Sequence, residues 1–366
     1  MWRLIWSGAL PPVRIHAIYE AIAESVSRGE SPNTIHICWP DRPYVCVGVH
    51  QIVGFEVDVR ECEKRRIKIV RRQVGGGAVY LDQNQFFYHI VARRGDFPGS
   101  MRDVFERMLA PTVCACRRMG MNASYRPMND VVVDGRKISG NGAASFGSAI
   151  VVIGNIILDF DPEVFVSVLR VPDEKMKDKL ASSIAEWVTS VRRETGNMPR
   201  MEDVGGIYLE CFSEMFGAEL FEGRLAEGEA QRLMELERKY SDPEWTYRYS
   251  KRRRILRRIS YGDRVVKIMS DHYIVHLVGK PEKIIRILAE VRGDRIEDII
   301  ISGDFFVEPC SMVDALEDAI RGMSIDEVLS IDASTLADTL DIRSRESEKF
   351  VGDVLKVLSE IKKLLH

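Results

Sequence analysis

The chain has 366 residues, of which 45% are hydrophobic and 29% charged, with a formal net charge of −3. That balance fits a globular protein of one large or two ordinary domains. It gives no global reason for a nucleic-acid partner, and no apolar run is long enough to cross a membrane.

The opening residues, Met1-Trp2-Arg3-Leu4-Ile5-Trp6, are soon interrupted by Gly8 and Pro11-Pro12. They lack the apolar stretch of a secretion signal, so a cytoplasmic protein is expected. Ile15, Ile18, Ile22 and Val26 then recur at helical spacing, and Gly29 ends the pattern. Ile35 to Trp39 and Tyr44 to Val49 read as short strands around the turn Pro40-Asp41-Arg42-Pro43. Val57 to Arg66 reads as a charged helix.

The next stretch is the most informative: Arg71-Arg72-Gln73-Val74-Gly75-Gly76-Gly77-Ala78-Val79-Tyr80. β-Branched residues on both sides predict strand, glycine turn, strand. Glycine lets a backbone take unusual angles and lets another group approach the main chain closely. Two arginines add planar, permanent positive charge. A glycine triplet by itself is also what a plain tight turn looks like. Phe86 to Val91 continues as strand, and Met101 to Met119 is helical through Val104, Met108 and Val113.

Val131 to Val133, the turn Asp134-Gly135, and Lys137 to Ser139 predict a hairpin. Ile150 to Leu158 is a buried strand. Pro162 to Leu169, Met201 to Phe216 and Glu227 to Lys239 have helical patterns. Ser241-Asp242-Pro243 marks a boundary, followed by the basic segment Arg248 to Arg258. Strands near Arg264 to Met269 and Tyr273 to Val278 come next, then a helix over Pro281 to Val291. A strand at Ile296 to Ile301 and helices from Val313 onward complete the chain. Glu346 to Leu365 reads as one amphipathic helix. The expected class is α+β, with a large mixed-sheet domain over residues 1–242 and a smaller α+β domain over 243–366.

The seven cysteines are scattered, with no Cys-x-x-Cys pair. They read as buried thiols in a reducing compartment. Asn and Gln are scarce while Arg, Glu and Lys are plentiful, a bias of heat-adapted proteins.

The chemistry rests on an ordered combination: Arg-Arg-x-x-Gly-Gly-Gly-Ala-Val-Tyr-x-Asp, then Asn129-Asp130, then Gly135-Arg136-Lys137-Ile138-Ser139-Gly140. Alone, Lys137 would be a solvated hairpin lysine and Asp130 a turn residue. Together they resemble lipoate–protein ligase A, within the superfamily of biotin and lipoate protein ligases. Further matches are Gly48-Val49-His50-Gln51, Leu169 to Lys175 with Lys179 and Ser183, Ser241 to Trp245, and Gly303-Asp304-Phe305-Phe306. The resemblance covers nearly the whole chain.

The resemblance implies a two-step ligase. ATP and lipoate give lipoyl-adenylate, and the lipoyl group then passes to a lysine of an acceptor. Arg72 would hold the nucleotide phosphates. Gly75, Gly76, Gly77, Ala78, Val79 and Tyr80 would wrap the adenylate. Lys137 would bridge the lipoate carboxylate and the α-phosphate, and Asp130 with Asn129 would hold Mg²⁺. Val74, Val79 and Phe87 are candidates for the apolar tail. The acceptors implied are the acyltransferase subunit of a 2-oxoacid dehydrogenase, the glycine-cleavage H protein or another lipoyl-domain protein. No nucleic acid or membrane enters the reading, and a monomer is expected.

Leu81 stands before Asp82 where the family often has His, Ile153-Gly154-Asn155 replaces a His-Gly-Thr-like triplet, and Trp187 replaces a common Arg. These departures bear on the acyl substrate, lipoate or octanoate. An octanoyltransferase acting without ATP needs a cysteine nucleophile, and none lies between Cys116 and Cys211. A biotin ligase would carry Gly-Arg-Gly-Arg in the loop. A non-catalytic lipoyl-binding assembly protein is a further alternative. The basic run around Lys251 to Arg254 is either a solvated face or a surface for an acidic acceptor. The family's mobile accessory domain implies that residues 1–240 alone would bind ligand but activate lipoate poorly.

Overall fold

The computed structural model describes residues 1–170, 177–249, 253–340, 342 and 345–365. The chain divides into two compact units. The first holds Met1–Cys46, Val57–Gln73 and Val79–Thr246; the second holds Val47–Glu56, Val74–Ala78 and Tyr247–His366. Two short segments of the N-terminal sequence, one of them around the glycine triplet, thus pack with the C-terminal unit. The class is α+β, as the sequence predicts.

The strands of the first unit are β1 (Trp2–Leu10), β2 (Thr34–Pro40), β3 (Tyr44–Val47), β4 (Lys68–Arg71), β5 (Val79–Leu81), β6 (Gln85–Arg93), β7 (Ala123–Arg126), β8 (Asp130–Val133), β9 (Arg136–Phe146), β10 (Ala149–Ile157) and β11 (Leu220–Glu222). Eight form a mixed sheet in the order β11-β1-β2-β6-β10-β9-β8-β7, and β4-β3-β5 form a small second sheet. Strand β1 runs parallel to β11 and β2, and the remaining neighbours are antiparallel.

Successive side chains of a strand point to opposite faces, and the large sheet is covered on both. Strand β6 is accordingly buried at every position except its last, Arg93. On one face Ile35, Ile37, Phe86, Tyr88, Ile90, Ile150 and Val152 pack with the helices Met101–Arg118 and Met201–Phe216. On the other lies the helix Pro12–Ser27, which also packs against the helix Glu227–Ser241. The first of these starts on Pro12, whose missing N–H costs nothing in a first turn. It ends before Gly29, held at φ +75°.

The second unit carries one antiparallel sheet of β12 (Val265–Met269), β13 (His272–Gly279), β14 (Ile285–Arg292) and β15 (Arg295–Gly303) in that order. Ile287, Ala289, Val291, Ile299 and Ile301 face a core shared with Leu316, Val351 and Val354 of its helices. Ile274, Leu288 and Ile300 face the opposite way, toward Ile52, Phe55, Tyr249 and Ile255.

Three expectations need correction. Pro281 to Val291 is not a helix: Ile285–Arg292 is an inner strand. Both of its faces are covered, so its apolar residues run almost without interruption and also match helical spacing. The last amphipathic stretch is two helices, Arg345–Leu358 and Ile361–Leu365. The cysteines are not all thiols. Cys114 and Cys211 form a disulfide with Cα atoms 5.9 Å apart, because the helices that carry them lie side by side on the sheet. Cys38, Cys46, Cys62 and Cys116 are buried thiols and Cys310 is half-buried. Residues 171–175 of the family match and residues 250–252 of the basic run lie outside the described residues, as do the side chains of Lys179, Arg253 and Arg254. Arg248 is no free cation, since it pairs with Asp314 at 2.8 Å.

The disulfide joins positions 97 residues apart. A disulfide typically contributes about 2–4 kcal/mol by restricting the unfolded chain. A Cys114→Ser/Cys211→Ser variant is therefore expected to lose stability of that order in chemical denaturation. Reductant should lower the midpoint of the unaltered protein and leave the variant unchanged. Equal midpoints for both proteins without reductant would remove the cross-link from the account.

Candidate active site

The hairpin of β8 and β9 sets the central pair. Asp134 and Gly135 both take positive φ, 46° and 83°, as a two-residue hairpin turn demands. Opposite residues are Asp130↔Gly140 and Val131↔Ser139, but then Val132↔Lys137. Ile138 is the extra residue of a β-bulge, and it sinks fully into the core. In a regular strand Lys137, three residues from Gly140, would point to the opposite face. The bulge shifts the alternation by one, and Lys137 lies over Gly140 on the face of Asp130.

The result is a short chain of charges. Lys137 Nζ lies 2.7 Å from Asp130 Oδ1, and Arg126 Nη2 donates to Asp130 Oδ2 at 2.8 Å. Arg126 also donates to the Gly135 carbonyl at 3.2 Å. Burial pushes the Asp130 carboxyl up, but the Lys137 and Arg126 charges and hydrogen bonds outweigh it and hold the group below its ordinary range. The Lys137 main chain is pinned as well, its carbonyl accepting from Thr189 N at 2.8 Å. Gly140 makes room: a Cβ there would sit 3.0 Å from Lys137 Cε and 3.1 Å from Nζ.

A polar network supports the pair from the neighbouring strands. Asn141 Oδ1 accepts from Tyr88 Oη at 2.5 Å, and its Nδ2 donates to the Asn129 carbonyl at 2.9 Å. The Asn129 side-chain amide donates in return to the Asn141 carbonyl. Asn155 accepts from Gly140 N at 2.9 Å and donates to Gln85 Oε1 at 2.6 Å. Gly154 is required where Tyr88 and Asn141 meet, since a Cβ would lie 2.0 Å from Asn141 Oδ1 and 2.4 Å from Tyr88 Oη. The sequence does not single out Arg126, Gln85, Tyr88 or Asn141 as site residues, and Asn155 enters only as part of a triplet that departs from the family pattern. The one available signal was a polar Asn141 between two glycines inside a strand.

Arg72 also belongs to the first unit and is buried, with its Nη1 3.4 Å from the Cys46 carbonyl. Burial, with the Arg72 charge adding to it, pushes the neighbouring His16 down to about 3. Arg71 is fully buried and donates to the carbonyls of Trp245 and Thr246 at 3.1 and 2.9 Å, while Trp245 Nε1 donates to the Arg71 carbonyl at 2.9 Å. Val79 and Tyr80 lie on β5, opposite Cys46 and Val45. Burial pushes the Tyr80 phenol up to about 12. Leu81 and Phe87 are buried, Ile153 is half-buried and Trp187 is exposed.

Val74, Gly75, Gly76, Gly77 and Ala78 belong to the second unit. There Gly76 N donates to the Phe305 carbonyl at 3.1 Å, and Val49 N to the Val74 carbonyl at 3.3 Å. A Cβ on Gly75 would lie 2.5 Å from the Phe305 oxygen, and one on Gly48 would lie 2.2 Å from the Gly76 oxygen. His50 stacks on Phe305 with centroids 5.2 Å apart. The Gly48 turn, the glycine triplet and the Gly303 to Phe306 element thus form one main-chain cluster.

One carboxylate is the usual protein share of a Mg²⁺ site that substrate phosphates complete, and Asp130 supplies one. The Asn129 amide nitrogen is already engaged, leaving its carbonyl oxygen as the donor on offer.

Residues 11–213 match the family described as lipoyl protein ligase A/B catalytic domain. The chain is 30% identical over 270 residues to octanoyltransferase LipM of Kyrpidia tusciae, spanning 68% of this chain and 98% of that protein. The bi-partite lipoate protein ligase of Thermoplasma acidophilum, solved in work on that ligase and its E2 lipoyl domain, is similar with a TM-score of 0.60 and 26% identity. That match covers 67% of this chain and 95% of that one. LipL1 of P. falciparum in complex with lipoate matches at a TM-score of 0.70 over 97% of this chain and 100% of that one; at 12% identity the likeness concerns the fold alone. The chain belongs to the lipoyl protein ligase A/B family. No helix among the described residues is long and apolar enough to cross a membrane.

Gly140→Ala should displace the mobile end of Lys137 without unfolding the sheet. The Asp130 carboxyl then loses its main compensating charge, and its titration midpoint by ¹³C NMR rises. Lys137→Met should raise it as well. Because the folded value is depressed, the stability this carboxyl contributes is present above its unfolded value, about 3.9. It is lost as pH falls through the folded value. An unmoved midpoint in both variants would show that Lys137 does not govern Asp130.

Proposed function

We propose that this member of the family is an ATP-dependent lipoate–protein ligase. In the first step a lipoate carboxylate oxygen attacks the α-phosphorus of ATP, and pyrophosphate leaves. In the second, a lysine amine of an acceptor lipoyl domain attacks the acyl carbon, AMP leaves, and an amide forms.

Both steps need positive charge fixed where anions meet, since charge already in place costs no reorganisation in the transition state. Lys137 is the cation placed for this. It contacts the incoming carboxylate and the α-phosphate, and afterwards polarises the mixed anhydride. Asp130 holds the amine in position until substrate arrives, and Arg126 keeps Asp130 charged. Mg²⁺, held by Asp130 with the Asn129 side-chain oxygen at hand, would neutralise phosphate charge. Arg72 lies on the nucleotide side of the reading, and Gly75 to Tyr80 form the wrap around the adenylate. Residues 1–242 would be the catalytic domain and the remainder the accessory domain.

The observation that favours a ligase over an ATP-independent transferase is the state of the thiols. Acyl transfer through the protein needs an accessible, ionisable cysteine. No cysteine occurs between Cys116 and Cys211. The free thiols of the first unit are buried, and burial pushes each of them up, Cys62 to about 11 and Cys116 to about 12. The transferase reading has its own support in the LipM likeness, so the assay must separate the two.

The purified chain is incubated with a lipoyl domain and either lipoate, ATP and Mg²⁺, or an octanoyl carrier protein without ATP. The ligase reading expects a mass gain on the domain in the first mixture only. Modification in the second alone would replace it with the transferase. Lys137→Met should slow adenylate formation by about a hundred- to a thousandfold, the cost of removing one preorganised charge. A near-normal rate would take Lys137 out of the mechanism.

A further inference from the structure

On the sheet face beneath the helix Pro12–Ser27 lie two imidazoles and a thiol that the proposed reaction does not use. His36 and Cys38 are two residues apart on β2 and share a face. His89 on β6 pairs directly opposite His36. The two Nδ1 atoms are 2.9 Å apart. One atom from each imidazole and the Cys38 sulfur all lie within 4.8 Å of one another. His36, Cys38 and His89 have exposures of 0%, 0% and 1%. Metal bonds of about 2.0–2.3 Å place donors roughly 3.3–4 Å apart, a small adjustment from this arrangement.

The surroundings suit a ligand set. His36 Nε2 lies 2.9 Å from Ser7 Oγ. The hydroxyl offers the His36 Nε2–H an acceptor, the arrangement in which the partners of metal-bound histidines leave the other ring nitrogen its lone pair.

We propose that His36, Cys38 and His89 form a buried site for a soft, singly charged metal ion, copper(I). The donor set selects a soft or borderline metal, and the burial selects the charge. Binding releases the Cys38 thiol proton to solvent and forms one metal–sulfur and two metal–nitrogen bonds, with no change of oxidation state. A +1 ion and one thiolate sum to zero. Zn²⁺ on the same donors would leave a net positive charge in a closed interior, which is unfavourable without a partner. The Arg72 charge already bears on His16 of the covering helix.

The test is anaerobic incubation of the full chain with copper(I), and separately with Zn²⁺, followed by gel filtration and metal analysis. About one copper per chain is expected to be retained by the unaltered protein and by Cys310→Ser. Cys38→Ser and His89→Gln should retain at least tenfold less, with melting curves showing that they are folded. Zinc should not be retained above the level of those variants. A second readout needs no variant: bound copper should slow alkylation of Cys38, relative to Cys62, during brief denaturation. Equal copper in Cys38→Ser, no copper in the unaltered chain, preferential retention of zinc, or unprotected Cys38 would each overturn the proposal.

Discussion

One extra residue in β9 is the constraint on which the candidate site depends. With Ile138 bulged into the core, Lys137 and Asp130 share a face and meet at 2.7 Å. Without the bulge the amine would point to the other side of the hairpin. The bulge is stable because each part of it is held: Ile138 by burial, the Lys137 carbonyl by Thr189 N, and the turn by two positive-φ residues. Gly140, Asn141, Gly154 and Asn155 then have defined tasks. The glycines leave room for Lys137 and for the Tyr88–Asn141 contact, and the asparagines tie β8, β9, β10 and β6 together. A partly buried ion pair is weak evidence of stability. Here the Asp130 carboxyl stays charged mainly because two cations compensate its burial.

Much of the fold was legible from the sequence because it rests on local signals. Pro12 and Gly29 bracket the first helix. Alternation marks the strands, and Asp134-Gly135 marks the hairpin that carries Lys137. What was not legible depends on contacts distant in sequence. Cys114 and Cys211 are 97 residues apart, and nothing near either one announces the other. Strand β14 is covered on both faces, which erases the alternation that separates strand from helix. The bulge is also silent in the sequence, since Lys-Ile-Ser alternates as any strand would. Arg126 escaped notice because a lone arginine before a turn reads as solvated surface until its carboxylate partner is known.

The thiols show how the same residue type carries different information in different places. Cys114 and Cys211 sit where two helices run side by side, and they are cross-linked. Cys46, which touches His16 and Arg72, and Cys62 are thiols, and burial makes them poor nucleophiles. Chemistry that passes through a thioester has no accessible starting atom in the first unit. Chemistry that passes through an acyl-adenylate needs only cations and main-chain donors. The chain is similar both to an octanoyltransferase and to lipoate-protein ligases, and the choice of reaction turns on side chains.

The glycine triplet carries two separate demands, which the structure pulls apart. At Gly75 a side chain would strike the Phe305 carbonyl at 2.5 Å. Gly76 takes φ +92° and donates to that same carbonyl. Both positions need glycine for packing within the second unit, whether or not a nucleotide ever binds. Gly77 differs. Its φ is not positive, and a Cβ there would make only ordinary contact, 3.6 Å from Asp304 Cβ. Among the described residues a Cβ at 77 finds room. An adenylate lying against the main chain would demand glycine there, because a methyl group would hold the ligand off the backbone. Within the proposed reading the ligand's requirement therefore falls on Gly77, and the two glycines before it build the loop that presents it.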